Sequence, residues 1–261
     1  MGAKTGIEWT DATWNPLRGC SRVSEGCRNC YAESVANRFK GPGQPYEGLI
    51  ARAGRWNGEI RLVPEKLLEP WRWVKPRRIF VNSMSDLFHP SVPFEYIAAV
   101  FFIMSVTTRH TYQVLTKRPE RMREFFRWLA TDGDGVYLGA VYQGDTLLQI
   151  MDEKVYESAH TIPEIAALAW TPKGKTRGGY DNCGPIFPYK NVWLGVSVEN
   201  QATADERIPL LLEVPAAVRF LSVEPLIGSV DLLDICNTRG ATHEHHFSSL
   251  FDPGKHVLTV L

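Results

Sequence analysis

The sequence predicts an α/β fold whose strands are mainly parallel. Five short segments with the residue types of buried strands alternate along the chain with segments of helical periodicity. Alternation of strand and helix implies parallel strands that are joined by helical crossovers. The strand segments lack a regular polar alternation, which is typical of strands covered on both faces. Such a sheet is either open and doubly wound, or a whole or partial barrel.

The strand predictions depend mainly on residue type. Three of the segments, IFVNS, VWLGVS and VRFLSV, are rich in β-branched and aromatic residues, which favour strands. In chain order, the expected strands are Ile7–Thr10, Arg78–Ser83, Tyr112–Thr116, Val192–Ser197 and Val218–Val223.

Helices are expected between these strands, because apolar residues recur there at helical spacing. Three of the helices begin at a proline, which is tolerated in the first turn of a helix. Pro70 must kink or end the second helix. The expected helices are Ser34–Phe39 (beginning near Cys30), Pro64–Val74, Pro93–Ser105, Pro119–Leu129 and Ala202–Glu213.

Two stretches interrupt this alternation. Residues 133–190 are long and rich in turn signals, so we expect an insertion outside the sheet of a domain that spans residues 1–233. Residues 234–261 form a divergent tail that we expect to be poorly ordered or irregularly packed, with its apolar end HVLTVL able to add as a strand. We interpret the tail histidines His243, His245 and His246 as solvated side chains.

Composition narrows the class of protein. The chain has 261 residues, of which 44% are hydrophobic, and 29 basic residues balance 29 acidic ones. We therefore do not expect a wholly disordered chain. The zero net charge gives no general electrostatic argument for polyanion binding, although it is compatible with a local basic patch. The most apolar run, Ala98–Val106, has nine residues, whereas a membrane span needs roughly 20. With no secretory signal and five cysteines, we expect a cytoplasmic protein whose cysteines are reduced.

The segment GCSRVSEGCRNCYAE carries the strongest chemical signal. Cys20, Cys27 and Cys30 follow a C-x6-C-x2-C pattern, and clustered thiolates bind soft metals and iron–sulfur clusters. We favour a four-iron cluster with one open iron. A zinc site remains an alternative, with a fourth ligand from Cys183, Cys236 or His89. Three unconnected buried cysteines are the remaining interpretation.

Polar side chains follow the later strands, in the segments NSMSD, TKR, SVEN and SVEP. If the strands are parallel, these side chains lie at the carboxyl ends of the strands, at the same end of the sheet as the cysteine loop. Helix capping is an equal alternative for the serines and for Asn200. The candidate catalytic residues are Lys117, Glu199 and Glu224, and the candidate cofactor-binding residues are Asn82, Ser83, Asp86, Arg118, Ser197 and Asn200.

Several motifs in order resemble a known family. IEWTDATWNP, the cysteine segment, IFVNSMSDLFH, YQVLTKRPERM, NVWLGVSVENQ and FLSVEPLIG are similar to the bacteriophage-associated three-Cys-motif family of unknown function. That family resembles radical S-adenosylmethionine (SAM) proteins, and the similarity covers Ile7 to about Leu233 apart from the insertion.

The resemblance implies a partial (β/α) barrel in which three cysteines hold a 4Fe-4S cluster. SAM would bind the open iron and be cleaved to methionine and a 5′-deoxyadenosyl radical that acts on an unknown substrate, with an electron-donor protein as partner. Ser83 and Asp86 would bind the SAM amino group, and Lys117 or Arg118 a carboxylate or phosphate. Glu199 or Glu224 would bind ribose hydroxyls or substrate.

The chain also departs from that family. The usual first cysteine gap is three residues, whereas here it is six, and Asn29 stands where an aromatic residue is usual. The family's final strands have no counterpart after Leu233, which predicts a truncated barrel and weak or absent SAM cleavage. The alternative function is a non-catalytic metal-binding or interaction protein, or an inactive truncated homologue.

One further segment, WRWVKPRR (71–78), interleaves aromatic and basic residues. We interpret it as the solvated basic end of a helix, and nucleic-acid binding is the weaker alternative.

Overall fold

The computed structural model describes residues 5–132, 134, 136–137, 145–167, 187–232 and 258–260. Within these residues the centre of the fold is a six-stranded parallel sheet. Two further strands form a small antiparallel pair, β2 (Leu17–Arg18) and β3 (Arg61–Leu62). In spatial order, the parallel strands are β1 (Ala12–Trp14), β4 (Arg78–Val81), β5 (Thr111–Thr116), β6 (Val192–Ser197), β7 (Val218–Ser222) and β8 (Leu258–Val260).

The spatial order of the parallel strands follows their order in the chain. Every crossover therefore advances in the same direction across the sheet, as in (β/α) barrels, whereas a doubly wound sheet reverses direction near its centre. The expected mixed α/β fold with parallel strands is confirmed. The strands β1 and β8 stand at the two edges of the described sheet.

Helices alternate with the parallel strands along the chain. Two single-turn 3-10 helices, Glu25–Cys27 and Pro64–Lys66, accompany them. The α-helices are α1 (Tyr31–Arg38), α2 (Glu69–Arg72), α3 (Phe94–Val106), α4 (Pro119–Leu129), α5 (Asp145–His160), α6 (Pro163–Ala166) and α7 (Gln201–Glu213).

The main core lies between the sheet and helices α3 to α7, whereas Ala32 and Ala36 of α1 belong to a separate small cluster. Phe101 of α3 packs its ring against Phe125 and Phe126 of α4, with centroids 5.2 and 5.7 Å apart. Val114 of β5 and Leu194 of β6 belong to the same buried cluster. The described part of the chain has no helix with the length and hydrophobicity that a membrane crossing needs.

The opposite face of the sheet carries a different set of side chains, because side chains alternate along a strand. Phe80, Gln113, Gly195 and Phe220 share this face in the strand register. Gly195 is required there, since a Cβ atom would lie 2.6 Å from the ring of Phe220. The Trp9 ring packs on Phe80 at 4.8 Å, so the N-terminal segment covers part of this face.

The first strand is not where the sequence places it. The sequence predicts a strand over Ile7–Thr10, but Thr10 closes a turn by donating its N–H to Ile7 O at 3.3 Å. The Thr10 hydroxyl contacts the carbonyls of Ala12 and Arg78 at 3.1 and 3.0 Å. Pairing with β4 therefore begins only at Ala12.

The observed bounds of several other elements differ less from the predicted bounds. β4 ends at Val81 because Asn82 adopts a positive φ of 60°, which L-residues other than glycine seldom adopt. The helix expected over Pro64–Val74 is two short helices, with Pro70 in the first turn of the second. β7 ends at Ser222, one residue before its expected end.

The described part of the expected insertion lies outside the sheet, yet it contributes to the main helical layer. α5 packs against α3 and α4, and Met151 and Val155 are buried in the main core. Residues 168–186 and 233–257, which include Cys183, Cys236 and the tail histidines, lie outside the described residues. Leu258–Val260 pairs with β7 in parallel, as the apolar end of the chain predicts.

Candidate metal and cofactor site

The three clustered cysteines lie between β2 and α1. Cys27 ends the 3-10 helix Glu25–Cys27, and Cys30 is the residue before the first turn of α1. All three cysteines are free and partly buried. Cys20 and Cys30 pack against the same small apolar cluster, which contains Tyr46, Trp56 and Met84 among its members. We call residues 20–30 the cysteine loop.

A glycine directs the chain into the cysteine loop. Gly19 has a φ of +95°, and a Cβ atom there would clash with the carbonyl of Glu59. Gly19 also bridges to Ser85, which follows β4, while the Ser85 hydroxyl donates to Leu17 O at 3.1 Å. The loop therefore starts from a position fixed against the carboxyl end of β4.

A buried ion pair holds the first part of the cysteine loop. Arg118, at the end of β5, donates to Asp86 at 2.7 Å. The same guanidinium donates to the carbonyl and hydroxyl of Ser21 at 2.8 and 3.0 Å and lies 3.8 Å from the Cys20 sulfur. Asp86 also accepts the Thr116 hydroxyl at 2.8 Å. One planar guanidinium thus ties Ser21 and Cys20 to two strand ends.

A second buried carboxylate holds the middle of the loop. Glu199, at the end of β6, has no exposed surface. It accepts the Ser24 hydroxyl at 2.7 Å and the Gly26 N–H at 3.1 Å. Lys117 forms a salt bridge with the same carboxylate, and Arg207 of α7 lies 3.6 Å away.

The electrostatics of these two anchors favour anionic ligands. Within the described residues, three cations (Lys117, Arg118 and Arg207) face two carboxylates, Asp86 and Glu199. The two anchors thus carry one positive charge in excess, which would complement a negatively charged cluster bound by the cysteine loop.

The surroundings of Cys20 favour the protonated thiol at neutral pH. Burial raises the pKa of Cys20 to about 12, the charge of Asp86 adds to the increase, and Arg118 opposes it. Because metal ligation requires the thiolate, a metal or cluster that binds here must displace this proton.

His89 is used in loop contacts. Its Nδ1 accepts the Ser91 N–H at 3.2 Å, so Nε2 carries the hydrogen and donates to the Ser21 hydroxyl at 2.8 Å. Burial lowers the pKa of His89 to about 4, and the charge of Arg118 contributes to the decrease. The imidazole is therefore neutral at neutral pH, and both of its nitrogens are engaged in these contacts.

Asn82 and Ser83 differ in how their side chains are used. The Ser83 hydroxyl contacts Asn15 at about 3.2 Å, and its carbonyl accepts the Tyr31 hydroxyl at 2.6 Å. Asn82 is 3% exposed, and among the described residues neither atom of its side-chain amide has a partner. A buried amide without partners costs about 1–3 kcal/mol, so Asn82 offers a donor and an acceptor to a ligand.

Three of the remaining candidates are placed differently. Asn200 is the N-cap of α7, where its side chain accepts the Thr203 N–H at 3.0 Å, so capping accounts for it. Ser197 is buried, and its carbonyl accepts a hydrogen bond from Arg207 at 2.8 Å. Glu224 is exposed, beyond the end of β7.

Several contact residues carry no clear signal in the sequence. Ser21, Ser24 and Gly26 lie inside the cysteine motif, where the motif itself is the only hint of a role. Arg207 comes from the middle of α7, and its proximity to Glu199 depends on how that helix packs.

The donor set fits a thiolate-bound metal or cluster, because three free cysteines occur on one loop whose anchors carry excess positive charge. Across the described ranges, however, no three His, Cys, Asp or Glu side chains already form a group that could hold a metal ion. Binding would therefore require an adjustment of the cysteine loop.

Comparison with known proteins gives the family of the chain. Neither the curated proteins nor the solved structures contain a match. A family profile described as a protein of unknown function (DUF5131) matches residues 4–247, which is nearly the whole chain. The chain therefore belongs to the DUF5131 family of proteins of unknown function.

Proposed function

We propose that this protein is an iron–sulfur protein in which Cys20, Cys27 and Cys30 bind a four-iron cluster. The observation that carries the proposal is the anchoring of one three-cysteine loop by two buried ionic groups, Arg118–Asp86 and Lys117–Glu199. Removing the charges of an ion pair from water costs free energy. That cost at two buried ion pairs supports a functional role for the position of the loop that they hold. The chemistry that such a cluster supplies is one-electron reductive cleavage of SAM, with an electron-donor protein and an unknown substrate as partners.

The side chains at the strand ends divide into two groups under this proposal. Arg118 and Glu199 position the cysteine loop, because their polar atoms are engaged with its backbone and serines. Asn82, whose amide has no partner among the described residues, is available to bind the amino or carboxylate group of SAM. Lys117 remains a candidate catalytic residue, since a fifth of its side chain is exposed beside Glu199.

A non-catalytic metal-binding protein, with zinc or an iron–sulfur cluster, is the second candidate. It is favoured by the fact that Asp86 and Glu199, both assigned to cofactor or substrate by the resemblance, are instead occupied with internal contacts. Such a protein would use the same three cysteines and the same anchors without cleaving SAM.

Formation of 5′-deoxyadenosine distinguishes these two candidates. Protein reconstituted anaerobically with iron and sulfide is incubated with SAM and dithionite, and the product is quantified by liquid chromatography. We expect slow cleavage that Cys27→Ala and Cys30→Ala abolish, while the matched variants Cys183→Ala and Cys236→Ala retain it. An intact cluster with only background 5′-deoxyadenosine would reject the SAM reaction and favour the non-catalytic protein.

A further inference from the structure

A basic loop at the amino-terminal end of β4 has no part in the proposed function. Residues 71–78, here called the basic loop, run from the end of α2 into β4. Because β4 begins at Arg78 and is followed by Asn82 at its carboxyl end, the basic loop and the cysteine loop lie at opposite ends of the strands. A ligand bound by one loop would not occupy the other.

The basic loop concentrates positive charge in a chain whose net charge is zero. It contains four basic residues and no carboxylate. Arg78 is partnered by Asp11 at 3.5 Å. Arg72 and Lys75 are exposed, and within the described ranges neither is part of a salt bridge. Their charges are therefore available to an anionic partner.

Arg109 fixes the shape of the basic loop. Its guanidinium donates to the carbonyls of Trp71, Trp73 and Pro70 at 2.7, 2.7 and 3.1 Å. These acceptors are neutral, so Arg109 also keeps its full charge at the surface. Because the loop is already ordered, a ligand would lose little free energy in organising it.

The two tryptophans of the basic loop have different environments. The Trp73 ring is covered by Arg77, 4.9 Å away, and contacts the ring of His110 at 6.1 Å. Trp71 is 40% exposed, and no other ring in the described part of the chain stacks on it. Trp71 therefore presents an exposed aromatic surface in the same loop as Arg72 and Lys75, and Arg109 contacts its backbone carbonyl.

We propose that the basic loop binds single-stranded nucleic acid, with Trp71 stacking on a base and Arg72, Lys75 and Arg109 contacting phosphates. Cationic side chains that follow a backbone, with an aromatic ring for a base, are the general means of binding single strands. A duplex keeps its bases stacked on one another and offers none to Trp71. A lipid surface would favour an amphipathic helix, whereas α2 has four residues.

The test is fluorescence anisotropy of a labelled oligothymidylate of about 15 nucleotides, titrated with the full chain at several salt concentrations. We expect saturable binding whose affinity falls with a log–log salt slope of about 2, as for roughly three phosphate contacts on a single strand. A duplex of the same length should bind more weakly at every salt concentration.

Variants separate stacking from charge. Trp71→Ala should weaken binding about tenfold without changing the salt slope, because one stacked base is lost, and Trp71→Phe should retain most of the affinity, because its ring can still stack. Arg72→Ala and Lys75→Ala should each lower the slope by about 0.7. Arg52→Ala, which removes an exposed cation elsewhere on the surface, should leave binding unchanged.

Four results of the oligonucleotide titrations would overturn the proposal. They are absence of binding at low salt, equal affinity for the duplex, binding that Trp71→Ala leaves unchanged, and equal losses in Arg52→Ala and Lys75→Ala. Anionic phospholipid vesicles are titrated in parallel. Tighter binding to the vesicles that Trp71→Ala abolishes would assign the basic loop to a membrane surface instead.

Discussion

The carboxylate of Glu199 accepts the backbone N–H of Gly26 at 3.1 Å, across 173 positions of the chain. The contact joins the carboxyl end of β6 to the middle of the cysteine loop. The contact also explains why residue 26 is a glycine, because a Cβ atom at this position would lie 2.5 Å from Glu199 Oε1. The position of the middle of the cysteine loop thus depends on one buried carboxylate.

Glu199→Gln should destabilise the protein by about 3 kcal/mol, because Lys117 and Arg207 would lose their buried counter-charge. Urea unfolding measures this loss. The matched control is Glu213→Gln, which removes the half-exposed partner of Arg123 and should cost less than about 1 kcal/mol. Equal costs for the two variants would mean that Glu199 is not an anchor.

The same carboxylate predicts a pH dependence. Burial tends to raise the pKa of Glu199, but the hydrogen bonds from Lys117 and Ser24 outweigh it and hold the pKa below its usual 4.5. A carboxyl whose pKa is lowered by folding stabilises the protein fully above its unfolded pKa, and this stabilisation is lost as pH falls through the folded pKa. Below about pH 4.5 the unfolding free energies of the wild type and Glu199→Gln should therefore converge, as urea titrations between about pH 3 and 7 would reveal. A constant difference over that range would contradict the prediction.

Gly26→Ala should destabilise the protein by about 1–3 kcal/mol and loosen the cysteine loop, since the added methyl group overlaps the Glu199 carboxylate. Thermal unfolding measures the first effect, and limited proteolysis between Ser21 and Arg28 measures the second. Gly6→Ala is the matched control, because a Cβ atom there has no neighbour within 4 Å. Proteolysis as slow as in the wild type would show that the loop does not need this contact.

Arg118→Lys should weaken the loop although it keeps the positive charge. A lysine ammonium lacks the planar fork with which Arg118 reaches Asp86 and Ser21 together, at 2.7 and 2.8 Å. We expect a several-fold loss of iron retained after gel filtration. Arg123→Lys, a substitution in a half-exposed salt bridge, should retain iron normally, and equal retention in both variants would refute the positioning role.

Much of the fold is predictable because its determinants are local. β6 and α4 have the bounds that the sequence predicts, since VWLGVS is a run of strand-forming residues and Pro119 fixes the start of its helix. The prediction of the first strand over Ile7–Thr10 is wrong, because the limits of the strand depend on Thr10. The hydroxyl of Thr10 contacts the carbonyl of Arg78, 68 positions away. No local pattern of residues contains that contact.

The candidate site is predictable only in part for the same reason. Parallel strands bring their carboxyl ends to one edge, so the sequence places Asp86, Arg118 and Glu199 near the cysteine loop, and the structure brings their side chains into contact with it or its neighbours. The sequence does not show which polar groups pair with each other. Glu199 was assigned to ribose or substrate, yet its oxygens bond to Ser24 and Gly26.

The iron and acid-labile sulfide content of anaerobically reconstituted protein tests the central claim most directly. The account predicts about four irons and four sulfides per chain, with the content lost in Cys20→Ala, Cys27→Ala and Cys30→Ala and kept in Cys183→Ala. Stoichiometric zinc without sulfide, or a full iron content in any of the three loop variants, would contradict it.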